Sequence, residues 1–95
     1  MTRSFADYER PLRRPGVEWV ELDNEVVVYD PATQSLHRLN ASAAHVWLAC
    51  DGTTSVDQLV NRVARLYTET GETIGTDVRA LLGRLVDAGI VAVVA

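Results

Sequence analysis

Leu36 to Gly52, LHRLNASAAHVWLACDG, decides how this chain is read, because it runs from the end of a strand through a helix cap and a short helix to a helix stop. Asn40 suits the N-cap, since its side-chain oxygen accepts from the free N–H groups of a helix's first turn. Ala41 to Cys50 is helix-permissive, with Ala43, Val46, Trp47 and Cys50 on one apolar face. Asp51-Gly52 then ends the helix, glycine turning left-handed without steric cost. A strand therefore hands the chain directly to a helix.

Working towards the N-terminus, Val17 to Leu22 and Glu25 to Asp30 are rich in β-branched and aromatic residues, which suit a half-buried pleated surface. Asp23-Asn24 fits a tight hairpin turn between them. A second turn follows at Asp30 to Gln34, where Pro31 presets φ, and Ser35 to Leu39 forms a third strand. Short connections predict a meander with Glu25 to Asp30 in the middle and Ser35 to Leu39 at an edge. Alternation puts His37 and Leu39 on one side of that edge strand, and Leu36 and Arg38 on the other. Trp19, Tyr29 and Trp47 sit in periodic runs and are expected in the core.

Residues 1–16 read differently. This stretch has two prolines, no sustained periodicity, and Arg3, Arg10, Arg13 and Arg14 offset by Asp7 and Glu9. It is expected to be a flexible basic N-terminal arm preceding a domain over 17–95. Whether the arm is merely solvated or docks on an acidic peptide or enzyme patch stays open.

Towards the C-terminus, Ser55 and Gln58 have the spacing of a capping box, with Thr54 and Asp57 nearly as good. Val56, Leu59, Val60, Val63, Leu66 and Tyr67 then repeat at three and four, a helical stripe that leaves Arg62 and Arg65 in solvent and ends by Gly71. A third helix is predicted to start between Ile74 and Asp77 and to end at Ala88, with Gly89 as a left-handed cap. Its core stripe is Val78, Leu81, Leu82, Leu85 and Val86. The apolar tail from Ile90 to Val94 is expected to pack back as a short strand or extended segment. Three antiparallel strands followed by three helices predict an α+β domain of winged-helix type.

Ninety-five residues, 47% of them apolar, make one small domain that folds without staples. The lone Cys50 has no partner for an internal disulfide and reads as a buried thiol. No segment has the length and apolarity of a signal peptide or a membrane span, which predicts a cytoplasmic protein with no membrane partner. A net charge of −4 argues against broad nucleic-acid binding. Ser42 lacks the surroundings of a nucleophile, and His37, His45 and Cys50 match no zinc spacing. No enzyme activity, metal or cofactor is therefore expected. Asp57 and Asp77 fit the early turns of their helices, whereas Asp87 lies unfavourably near a helix C-terminus.

What remains is the edge. Unpaired backbone groups along Ser35, Leu36, His37, Arg38 and Leu39 offer strand addition to an extended peptide. The third helix would form the opposite wall, its outer face carrying Arg79, Ala80, Gly83, Arg84 and Asp87. A glycine inside a helix costs about 1 kcal/mol against alanine. Gly83 therefore either makes a low floor with Ala80 under the guest, or is a surface residue, or touches a neighbouring element. On the first reading Arg84 and Asp87 select polar groups on the peptide.

Leu39-Asn40, Ser42-Ala43-Ala44, Val46-Trp47, Cys50-Asp51-Gly52, Leu59, Asp77-Val78 and Leu85, in this order and spacing, resemble the PqqD family from Val17 to Val91. Members of that family are small peptide chaperones, also called recognition elements, for ribosomally made precursor peptides. The resemblance implies a precursor-peptide leader held between the third strand and the third helix. It also implies a maturation enzyme as partner, such as a radical S-adenosylmethionine enzyme or a leader peptidase, and admits a homodimer, since some members exchange elements between chains. Two other functions compete. A winged-helix DNA-binding protein would have to read DNA with Arg79 and Arg84 beside Asp77 and Asp87, which is poor material for phosphates. A scaffold module would bind a folded partner through exposed aromatic residues.

Overall fold

The computed structural model describes residues 5–67 and 71–94. Its elements are β1 (Arg10–Arg13), β2 (Glu18–Leu22), β3 (Glu25–Asp30), β4 (Ser35–Asn40), α1 (Ala41–Leu48), α2 (Val56–Leu66), α3 (Gly71–Asp87) and β5 (Val91–Val94). β2, β3 and β4 form the expected antiparallel meander with β3 central. β1 and β5 form a separate antiparallel ribbon in which Arg10 faces Val94 and Arg13 faces Val91.

The fold is thus α+β, three strands followed by three helices, with one addition. Residues 10–13, expected within a flexible arm, are a paired strand. Pro11 is fully buried, and nearby Phe5 joins the core. The segment before β1 is tied down as well: the Val56 N–H donates to the Glu9 carbonyl at 2.8 Å, and Asp7 pairs with Arg79 of α3. A run containing proline and two arginines reads as a loop when taken alone; pairing with the distant β5 makes it a strand. Residues 1–4, which include Arg3, lie outside the described residues.

The helix ends follow their caps. Asn40 accepts from the Ala43 N–H at 3.0 Å, and α1 ends at Leu48, slightly before Cys50. Gly52 has φ +80°. Ser55 and Gln58 make both bonds of the capping box on α2, while Thr54 spends its N–H and hydroxyl on Asp51. α3 starts at Gly71, earlier than the apolar stripe signalled. Asp77 therefore lies mid-helix and does not serve the dipole at an N-terminus. At its other end the Ile90 N–H reaches the Leu85 carbonyl and the Gly89 N–H the Val86 carbonyl, the pairing that a left-handed residue at φ +79° allows.

Trp47, Leu59, Leu82 and Ile90 are fully buried and unite the helices with the inner face of the sheet, where Val26 and Val28 point. Trp19 departs from expectation. It shares that inner face, opposite Val28, but β2 is an edge strand, so the ring packs edge-on against Trp47 at 5.7 Å and stays 38% exposed. Leu66, placed on the core stripe of α2, is likewise exposed. The tail forms the short strand expected of it, and its partner is β1.

Candidate functional site

β4 has β3 on one side and, among the described residues, no strand on the other. Its side chains alternate as the sequence predicted. Leu39 is buried and His37 half-buried on the inner face, while Leu36 and Arg38 are exposed on the outer face. The Arg38 guanidinium reaches diagonally across β3 to Glu25 at 2.9 Å, a pair open to solvent and so of small energetic weight.

Beside this edge lies an open cleft of about 630 Å³, with β4 on one side and α3 on the other. His37, Arg38 and Leu39 line it from the strand. Asp77, Ala80, Leu81 and Arg84 line it from α3, where spacings of three and four put them on one stripe. Val46 of α1, Val63 of α2 and Tyr67 just beyond α2 add apolar surface. The cleft is thus mostly hydrophobic, with a few charges and a row of free backbone groups at one margin. That combination suits an extended peptide: main-chain bonds attach it and alternate side chains enter the cleft.

Not every expected residue is brought here. Ser35 and Leu36 belong to the strand but do not line the cleft, and Asp87 is exposed outside it. Gly83 corrects the expectation of a low floor. It is buried and does not line the cleft, so a low floor beside Ala80 is not formed there and an exposed surface position does not hold either. Asp77, Leu81, Val63 and Tyr67 were not picked out as site residues. Val63, Leu81 and Tyr67 read as core from their helical periodicity and Asp77 as an early-turn partner of the helix dipole, and only the separation of α3 from β4 turns them towards a guest.

The His37 Nε2 atom is buried with no hydrogen-bond partner among the described residues, as is Trp47 Nε1. His37 borders the cleft, so its unpaired nitrogen is a polar feature of that wall. Cys50 does not contribute chemistry there: it lies under α1, and burial pushes its thiol up to about 12 against the pull of the Arg13 charge. Among the described residues no group of three or more His, Cys, Asp or Glu is placed to hold a metal ion, and no helix is long and apolar enough to cross a membrane.

The family model described as Coenzyme PQQ synthesis protein D (PqqD) matches residues 25–91, which include the cleft from β4 to α3. A comparison with curated proteins finds no match. Among solved structures the chain resembles TbiB1 in complex with the TbiA(beta) leader peptide, with a TM-score of 0.78 and 20% identity over 84% of this chain and 93% of that one. A lasso peptide synthetase B1 complexed with its leader peptide gives 0.78 and 19% identity, over 87% and 98% of the two chains. The solution structure of the PqqD part of Methylobacterium extorquens PqqCD, a stand-alone recognition element, gives 0.76 and 21% over 94% and 95%. At these identities the likeness is one of fold.

Proposed function

The chain belongs to the PqqD family, and on that premise we propose that it binds the leader of a ribosomally made precursor peptide by strand addition and presents it to a maturation enzyme. The observation that carries this reading is the edge of β4, unpaired among the described residues, standing beside an apolar cleft whose other wall is α3. Two of the similar solved structures are themselves complexes with leader peptides. The chain is read as non-catalytic. Its partner would supply the chemistry, a radical S-adenosylmethionine enzyme or a leader peptidase being the classes the family suggests.

DNA reading by α3 is poorly served. Of the two arginines it would need, Arg79 is engaged by Asp7 and lies within reach of the Gly75 carbonyl, which leaves Arg84 alone.

The test is a titration with the leader of a precursor peptide encoded beside this gene, following backbone amides by NMR and hydrogen exchange. Strand addition predicts new protection at alternate amides of Ser35–Asn40, together with shifts along Asp77 to Arg84. Tight binding that leaves β4 amides unprotected would overturn it.

A further inference from the structure

The charges at the cleft have an order. Asp77 and Arg84 lie seven positions apart on α3, which is two turns and roughly 10 Å along one stripe. Both are exposed, and among the described residues neither has a hydrogen-bond or ion-pair partner. Ala80 and Leu81 lie between them, so this wall reads negative, apolar, positive. The other charged residue bordering the cleft, Arg38, sends its side chain to the outer face of the sheet, where Glu25 offsets it.

We propose that Asp77 and Arg84 choose the guest's charge pattern and its direction. The proposal rests on the strand-addition reading above. The segment that fits is a short extended apolar stretch with an acidic side chain opposite Arg84 and a basic one opposite Asp77. Side chains on one face of a strand recur every second residue, at roughly 6.6 Å, so a gap of roughly 10 Å is met by long side chains two or four positions apart. An odd spacing would turn one of them away from the wall. The same segment laid in reverse brings like charges together at both ends, and that repulsion is what discriminates.

Three blocked synthetic nonapeptides test this. All share one alternating apolar sequence and differ at two same-face positions four apart, which carry Glu and Lys, Lys and Glu, or Gln and Gln. Each is titrated into the isotope-labelled full chain while the β4 and α3 amides are followed by NMR. One charged peptide is expected to bind about tenfold more tightly than its exchanged twin, with the Gln peptide between them. The preference should shrink in high salt, a check that needs no variant. The double variant D77K/R84E, altered only at exposed positions, should reverse it. Equal binding of the twins at the β4 edge overturns this inference and leaves the leader-binding reading standing. Failure of all three peptides to perturb β4 overturns both.

Discussion

The Arg13 guanidinium donates to the Trp47 carbonyl at 3.0 Å, so a residue of the N-terminal strand completes the end of the helix that carries the buried tryptophan. The same guanidinium donates to the Leu48 carbonyl at 2.7 Å and lies 5.0 Å over the Trp19 ring. Charge-assisted bonds to helix C-terminal carbonyls and a cation–π contact act together here. Arg13→Ala is expected to cost about 2 kcal/mol, on the scale of a hydrogen bond to a charged group, read as a lower urea midpoint with an unchanged slope. Arg13→Lys should recover only part of it, because an ammonium group lacks the planar guanidinium face that stacks over the Trp19 ring.

Asn40 ends β4 and caps α1. Asn40→Ala is expected to lower stability by about 1 kcal/mol, and Asn40→Asp to retain most of it, since either side-chain oxygen accepts from the Ala43 N–H. Denaturant unfolding of the two variants checks this.

Asp51 accepts from the N–H groups and hydroxyls of Thr53 and Thr54, and the Thr53 N–H does most to hold its carboxyl down to about 2 from 3.8. The folded form therefore prefers the carboxylate. The stabilisation it brings is complete above about pH 4 and fades as pH falls towards 2. Asp51→Asn keeps an acceptor but loses the charge, so stability between pH 4 and 2 should fall less steeply in the variant than in the parent. Parallel acid titrations of the two proteins, followed by circular dichroism, would show parallel curves if the account is wrong.

Cys50 is fully buried and its thiol resists ionisation. A thiol-specific disulfide reagent at pH 8 should leave the folded protein unmodified and react within seconds in denaturant. Fast modification of the folded state would mean that α1 opens readily.

Two substitutions on α3 should separate stability from binding. Gly83 is buried away from the cleft, so Gly83→Leu is expected to destabilise by roughly 1–3 kcal/mol through overpacking. Ala80 is exposed and lines the cleft, so Ala80→Trp should leave the melting temperature nearly unchanged while weakening leader binding at least tenfold. The pair is checked by calorimetric melting and titration side by side.

Much of this was legible in the chain because its signals are local. The Asn40, Ser55, Gly52 and Gly89 caps and the alternation in β3 and β4 depend on neighbours a few residues away. The cleft's position followed from one inference, that a meander ending in β4 leaves an edge. What stayed hidden depends on distant partners. Arg10–Arg13 became a strand through β5, and the N-terminal stretch docks against α2 and α3 through Glu9 and Asp7. Tyr67 and Leu81 read as core because periodicity reports which residues share a face and not how far the next element stands from it.

In the β1–β5 ribbon Arg10 lies across from Val94, and neither strand lines the cleft. The first and last strands are thus held side by side, away from the edge that a peptide would join. A reporter or a catalytic module attached behind β5 should therefore leave peptide binding at β4 intact.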